Sequence, residues 1–194
     1  MNVAILQQQH LEQGPAVPAS VKPYVPNTIL TMPGHIAGRF QTQPKGVILH
    51  GSRSGSSKAT LGQEFSGTAA WAQNSSHQLG WNATIGPNAV AIHIEPQFWG
   101  WNARAASRVY LAVEFAQAVE DWEITNEQVK AFCWYFLQRL RDKWPTLPAY
   151  FPTHAEVEKS GETGIYDGKT DVFSSKERSD ALRARINQEL QRTS

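Results

Sequence analysis

The spacing of apolar residues predicts several short strands. Residues 46–50 read Gly-Val-Ile-Leu-His, a continuous apolar run that is typical of a buried strand. In residues 80–85 and 89–95, apolar positions alternate with small or polar ones, and the turn-forming Gly86-Pro87-Asn88 lies between the two segments. This arrangement predicts two adjacent antiparallel strands.

A further strand is predicted at residues 109–115. Leu111, Val113 and Phe115 occur at every second position and therefore share one face of this strand. Glu114 lies on the opposite face, so a carboxylate is predicted among apolar strand residues.

Three other stretches repeat apolar residues every three or four positions, which predicts amphipathic helices. Each follows a hydroxyl residue that favours a helix N-terminus, and two of them have capping-box spacing. They are residues 61–74 after Thr60, the run to Trp144 that starts with Thr125 and Gln128, and the C-terminal run that starts with Ser174 and Glu177.

The first forty residues have a different composition. Five of the eleven prolines lie there and no apolar period is sustained, so we predict an irregular N-terminal arm over residues 1–40. Residues 41–194 then form one domain, because a chain of 194 residues with 41% hydrophobic content supports a single core. The order of elements predicts an α/β fold, with a mixed central β-sheet covered by helices on both faces.

Charge and composition exclude some classes of partner. The formal net charge is +1 and both signs are scattered along the chain, so no nucleic-acid-binding stripe is expected. The single cysteine, Cys133, cannot form an internal disulfide. No secretory signal and no membrane span are recognised, which predicts that the chain is cytoplasmic when synthesised.

Two segments carry the candidate chemistry. His50 ends the first predicted strand, and a loop rich in glycine and serine follows it, which is a usual position for functional groups in open sheets. The segment from Thr153 to Asp171 reads as a turn-prone loop that brings His154, Lys169 and Asp171 together. Two histidines and an aspartate are an accepted ligand set for catalytic zinc, with a fourth position for water. Each residue alone is also compatible with a structural role, such as a helix cap.

Other candidates lie between these segments. Trp81 and Trp101 suit stacking on a sugar, although tryptophans also pack in cores. Asn82 could hydrogen-bond a substrate or serve the fold. Arg104 could orient a substrate carboxylate or pair with an acidic side chain.

The joint pattern resembles the zinc-dependent N-acetylmuramoyl-L-alanine amidases, a family shared by phage endolysins, muropeptide-recycling amidases and peptidoglycan-recognition proteins. The resemblance covers about residues 45–190. It rests on Val47-Ile48-Leu49-His50, on Trp101-Asn102-Ala103-Arg104 followed by Leu111-Ala112-Val113-Glu114-Phe115, and on His154 with Lys169-Thr170-Asp171. The distant histidine followed by Lys-x-Asp is the most specific of these features.

The resemblance implies one zinc ion per chain on His50, His154 and Asp171, with Glu114 and Lys169 assisting hydrolysis. The bond cleaved would join N-acetylmuramic acid to L-alanine in peptidoglycan. We favour a bacteriolytic phage-type lysin, which a separate membrane-permeabilising protein would release to the cell wall. A cytoplasmic muropeptide-recycling amidase and a non-catalytic peptidoglycan-binding module of the same fold are the alternatives.

The sequence also departs from the family. Many members carry a tyrosine or histidine near the metal where this chain has Trp81 and Asn82. The histidine that often follows the tryptophan is replaced by Asn102. Sixteen residues separate His154 from Asp171, more than in compact members, and we predict that residues 156–168 form a lip beside the metal.

Overall fold

The computed structural model describes residues 23–55 and 58–193, and its elements follow most of the predicted apolar runs. The strands are β1 Thr28–Thr31, β2 Gly38–Arg39, β3 Val47–Gly51, β4 Ala83–Gly86, β5 Ala89–Ile92, β6 Phe98–Trp99 and β7 Leu111–Phe115. The α-helices are α1 Leu61–Asn74, α2 Asn126–Tyr135, α3 Arg141–Lys143, α4 His154–Lys159 and α5 Lys176–Thr193. A 3-10 helix spans Arg104–Arg108, and a π-helical segment, Phe136–Leu140, joins α2 to α3.

Five strands form a mixed sheet in the order β1-β5-β4-β7-β3. β7 lies between β3 and β4 and is parallel to both, β5 is antiparallel to β4, and β1 is parallel to β5. β2 and β6 form a separate antiparallel pair. The predicted hairpin and the mixed sheet are therefore confirmed.

Helices cover both faces of this sheet. On one face, Leu49 and Val113 pack with Phe132 of α2 and Ile186 of α5 in the main hydrophobic core. On the other face, Ile48 packs with residues of the 3-10 helix and of α4, and α1 contacts Ala91 and Ala112. The three-layer α/β architecture agrees with the prediction. Among the described residues, no helix combines the length and apolarity needed to cross a membrane.

Within the predicted irregular arm, Gly38–Arg39 form the short strand β2, and residues 28–31 form a strand of the main sheet. The latter strand is β1, whose backbone pairs with β5 at the edge of the sheet. All four side chains of β1 are exposed, so no alternation of buried and exposed positions marks the strand in the sequence. Residues 1–22 of the predicted arm lie outside the described residues, and the division of the chain at residue 40 stays a prediction.

Two helix starts also differ from the prediction. The N-terminal turn of α5 is capped by Ser175, whose Oγ accepts a hydrogen bond from the Arg178 amide at 3.2 Å, whereas Ser174 bonds Asp121. The segment from Thr153 onward is not a loop throughout, because α4 begins at His154. Thr153 and Glu156 cap this helix reciprocally, and its six residues are too few to show a helical period.

Candidate metal centre

His50 and Glu114 are neighbours because β3 and β7 pair in register. The pairing sets His50 directly opposite Glu114. Leu49 and Val113 point into the main core, so the alternation of strand side chains turns His50 and Glu114 toward the opposite face. His50 is buried, whereas Glu114 is half-buried.

His154 reaches the same place from a segment that follows the outer edge of β3. The Leu49 amide donates a hydrogen bond to the Pro152 carbonyl at 2.9 Å, and Thr153 pairs with Leu49 as an isolated bridge. The capped start of α4 then presents His154, which is buried. The capping carboxylate of Glu156 is itself held by Arg183 through two hydrogen bonds of 2.7 and 2.9 Å.

Asp171 is positioned by contacts on both sides of it in the chain. The carboxylate of Glu158 accepts hydrogen bonds from the backbone amides of Asp167 and Lys169. Arg53 donates to the Thr170 hydroxyl at 2.6 Å and to the Thr170 carbonyl at 2.8 Å. These contacts fix the loop that precedes Asp171, and the buried Val172 and Phe173 follow it.

The side chains of His50, His154 and Asp171 converge. The Nδ1 atom of His50 lies 3.0 Å from Asp171 Oδ2, and Nδ1 of His154 lies 3.5 Å from the same oxygen. The ring centroids of the two histidines are 4.7 Å apart. One candidate ligand atom from each residue lies within 4.8 Å of the other two, so the sequence prediction that these three residues meet is correct.

This group fits a divalent metal ion. Ligand atoms at about 2.0–2.2 Å from a tetrahedral metal are separated from one another by roughly 3.3–3.5 Å. The observed nitrogen-to-oxygen separations of 3.0 and 3.5 Å are close to that range. Two imidazole nitrogens and a carboxylate are also the donor types that bind divalent first-row metals in catalytic sites. The three buried residues could therefore bind a metal ion.

The surroundings of His50 and Asp171 shift the pKa of each toward the protonation state that metal binding needs. Burial lowers the pKa of His50, although its hydrogen bond to Asp171 opposes this effect. Burial alone would raise the pKa of Asp171, but hydrogen bonds with His154 and His50 outweigh it, and the pKa lies well below its ordinary value. A neutral imidazole and an ionised carboxylate are the forms that act as metal ligands.

Glu114 has the opposite shift. Its pKa is raised well above the ordinary value, first by burial and then by the negative charge of Asp171. Arg53 and Lys169 lower it, but not enough to offset the increase. Glu114 is therefore a more basic carboxylate than a solvated one, beside the candidate metal ligands.

The triad opens onto a cavity of about 810 Å³. Five of the other residues singled out in the sequence line it: Trp81, Trp101, Arg104, Glu114 and Lys169. Asp167 and Gly168 also line it, so the end of the segment predicted as a lip borders the cavity. Arg104 forms a salt bridge with Asp167, with Nε 2.5 Å from Oδ2. Of the two roles considered for Arg104, the structure therefore shows pairing with an acidic side chain.

Asn82 does not line the cavity, and its contacts favour the structural one of the two roles considered for it. Its side-chain amide donates to the carbonyls of Ile94 and Phe98, and its Oδ1 accepts from the Ala112 amide. The residue is 2% exposed. Asn82 therefore joins β7 to the segment that follows β5, and both of its side-chain polar atoms are used in these contacts.

Trp81 contributes to the cavity mainly by supporting another tryptophan. Trp81 is only 4% exposed, and Trp71 of α1 stacks on it with ring centroids 5.5 Å apart and an interplanar angle of 27°. Trp71 is 44% exposed and lines the cavity. Trp71 was not among the predicted site residues. It could have been predicted from its position, because a large aromatic side chain outside the apolar stripe of α1 is not needed for core packing. Arg53, which also lines the cavity, follows a glycine-serine segment and carried no comparable signal.

The chain was compared with known proteins and solved structures. No protein-family model matches the sequence, and no curated protein matches it. Similar solved structures include a mutant endolysin from Bacillus subtilis, with a TM-score of 0.57 and 15% identity over 81% of this chain and 97% of that one. The Staphylococcus aureus hydrolase AmiA, solved with its ligand, has a TM-score of 0.54 and 15% identity over 86% of this chain and 84% of its own.

A third similar structure is the endolysin N-acetylmuramoyl-L-alanine amidase LysCS from Clostridium intestinale. Its TM-score is 0.52 at 12% identity, and the match covers 85% of this chain and 98% of LysCS. All three matches span most of both chains, and at these identities they establish the architecture of the domain. The chain therefore has the fold of an N-acetylmuramoyl-L-alanine amidase.

Proposed function

We propose that the chain is a zinc-dependent amidase that hydrolyses the bond between N-acetylmuramic acid and L-alanine in peptidoglycan. The observation that carries the proposal is the convergence of His50, His154 and Asp171 beside the basic carboxylate of Glu114, at the base of one cavity. The fold shared with an amidase supports the same reaction. The site contains what metal-assisted amide hydrolysis requires without a serine or cysteine nucleophile.

In this proposal one zinc ion is held by His50, His154 and Asp171. When bound, zinc supplies Lewis acidity, which polarises an amide carbonyl and lowers the pKa of a coordinated water. The buried carboxylate of Asp171 supplies one negative charge to the site, and the two imidazoles are neutral ligands.

Glu114 is the proposed general base. It lies directly opposite His50 on the next strand, and its raised pKa suits a group that takes a proton from the attacking water. The same carboxyl group, once protonated, can return the proton to the nitrogen of the leaving L-alanine. Because water is the nucleophile, this one residue handles both proton transfers.

Lys169 is the proposed electrostatic partner of the carbonyl oxygen. Its side chain is exposed and lines the cavity, two residues before Asp171. A fixed positive charge beside the reacting carbonyl stabilises the negative charge that develops on its oxygen.

The walls of the cavity differ in character, and we assign the two parts of the substrate accordingly. Trp71, Trp101 and Leu79 present apolar surface, which suits the hydrophobic face of the sugar ring. Lys169 presents positive charge on another part of the cavity, where Arg104 is paired with Asp167, and this wall suits the polar stem peptide. Trp81 supports Trp71 from behind.

We further propose that the protein is a phage-type lysin that acts on the cell wall after release by a separate membrane-permeabilising protein. The endolysins among the similar structures support this choice. A recycling amidase that acts on soluble muropeptides in the cytoplasm uses the same chemistry and is the alternative.

The metal assignment predicts about one zinc ion per purified chain. His154→Ala and Asp171→Asn should each lower zinc affinity by more than the 10- to 100-fold that is typical for loss of an outer partner, because each removes a direct ligand. Both variants should also lose turbidity reduction on purified walls. Zinc content by mass spectrometry and wall turbidity measure the two effects.

His77→Ala is the matched control for these variants, since His77 is exposed and outside the cavity. It should keep both zinc and activity. Unchanged zinc stoichiometry in His154→Ala or Asp171→Asn would show that the ligands are assigned wrongly.

If Glu114 is the general base, its substitution should lower the rate of hydrolysis without affecting metal binding. Glu114→Gln preserves size but cannot accept a proton, so we expect zinc to be retained and kcat to fall by about 10²- to 10⁴-fold. Glu127→Gln, an exposed position at the start of α2, provides the control and should leave kcat unchanged. A Glu114→Gln enzyme with normal kcat would remove this residue from the mechanism.

The assignment of Trp71 predicts an effect on binding rather than on chemistry. Trp71→Ala should raise KM for peptidoglycan about two- to tenfold, the range that corresponds to the loss of one aromatic stacking contact. Trp71→Phe should recover part of this loss, and kcat should change little in either variant. An unchanged KM in Trp71→Ala would exclude this wall from substrate binding.

The proposed lysin role predicts faster release of stem peptides from intact sacculi than from soluble anhydro-muropeptide. Newly exposed amino groups of L-alanine measure both reactions in the same units. A preference for the soluble compound would support the recycling alternative instead, without changing the assigned chemistry.

A further inference from the structure

Two of the buried polar atoms that have no hydrogen-bond partner among the described residues lie on His50 and Asn102. They are Nε2 of His50 and Oδ1 of Asn102. Nε2 of His50 can donate when Nδ1 carries the lone pair, as it does in a metal ligand, whereas Oδ1 of Asn102 can only accept; both residues line the same cavity. Buried polar atoms are rarely left unpaired in proteins, so this complementary pair requires an explanation.

The Asn102 amide has one possible orientation. Its Nδ2 donates to the Gly100 carbonyl at 2.8 Å and to the Gly80 carbonyl at 3.3 Å. Rotating the amide by half a turn would bring Oδ1 against these two carbonyl oxygens, with no hydrogen between them. The donors of the amide are therefore used, and Oδ1 faces away from them.

The backbone that holds the amide is itself constrained. Gly80 and Gly100 cross so closely that a Cβ atom added to Gly100 would lie 2.6 Å from the Gly80 carbonyl oxygen. The amides of Asn102 and Ala103 both donate to Ser107 Oγ, at 3.0 and 2.8 Å. Asn102 is thus anchored on both sides, independently of His50.

The His50 ring is fixed from its other edge. Its Nδ1 lies 3.0 Å from Asp171 Oδ2, on the side where the candidate ligand atoms converge. Nε2 consequently points away from the triad. The Asn102 side chain also opposes the lowering of the His50 pKa by burial, and no hydrogen bond joins the two unpaired atoms in the structure.

We propose that Asn102 is a positioning residue for His50: when the Nδ1 lone pair binds a metal, Oδ1 of Asn102 accepts a hydrogen bond from His50 Nε2–H and holds the ring in that orientation. A histidine ligand needs its proton on the nitrogen that does not bind the metal, and a partner for that proton fixes both the tautomer and the ring orientation. Asn102 supplies such a partner from a rigid backbone. The inference rests on the proposed metal site and adds a residue that touches neither metal nor substrate.

The first test uses the wild-type protein loaded with zinc. Proton-nitrogen NMR of its histidine side chains should detect an Nε2–H proton on His50 that exchanges with solvent much more slowly than any ring proton of the exposed His77. Exchange as fast as that of His77 would overturn the proposal. Metal binding through Nε2 would also overturn it, since His50 would then carry no Nε2–H.

The second test replaces Asn102 with leucine, which has a similar size but no acceptor. Asn102→Leu should lower zinc affinity by about 10- to 100-fold, the usual effect of losing an outer partner of a histidine ligand, and should abolish the slow Nε2–H signal. Asn74→Leu, an exposed position at the end of α1, is the matched control and should keep wild-type affinity. Thermal unfolding of the metal-free proteins identifies any variant that fails to fold, in which case the wild-type NMR result decides.

These outcomes are distinct from failure of the proposed function. Absence of zinc binding by the wild-type protein would contradict the metal site itself. Normal zinc binding by the wild type, together with unchanged affinity in a folded Asn102→Leu variant, would contradict only the role of Asn102.

Discussion

The structure depends on the in-register parallel pairing of β3 with β7. Both strands are buried on their core side, where Val47, Leu49 and Val113 have no exposure, and a shift of one residue would turn these side chains out of the core. The same register sets His50 opposite Glu114 on the other face. The hydrophobic core on one face thus fixes the relation between a candidate metal ligand and a carboxylate on the other.

The remaining ligands are brought to this pair by anchors of a different kind. His154 is set by the cap of α4 and by backbone pairing along β3, whereas Asp171 is set by Glu158 and Arg53 through the loop before it. Each segment has its own polar contacts outside the triad. Because folding already orders these side chains, they lose less conformational entropy when a ligand binds, which is the usual advantage of a preorganised site.

Features with a local signal could be predicted from the sequence, and features set by tertiary contacts could not. The run ending in His50 and the caps at Thr60 and Thr125 are local, and all three are present as predicted. β1 has only exposed side chains, and α4 is shorter than two helical turns, so neither produces a readable period. The role of Asn82 could not be predicted for the same reason, because its side chain hydrogen-bonds three backbone groups that are distant in the sequence.

Asp171 contacts both histidines of the centre through one carboxylate oxygen. The Oδ2 atom of Asp171 is hydrogen-bonded to Nδ1 of His50 at 3.0 Å and lies 3.5 Å from Nδ1 of His154. Removing one of these two attractions leaves the other, whereas removing Asp171 would leave two buried imidazoles facing each other without an acceptor. The carboxylate is therefore the residue on which the assembly of the centre depends most, and the histidines contribute chiefly the direction of their lone pairs. A residue outside the triad can orient a histidine ring and therefore its lone pair. Asn102, which lines the same cavity, is the residue proposed to orient His50.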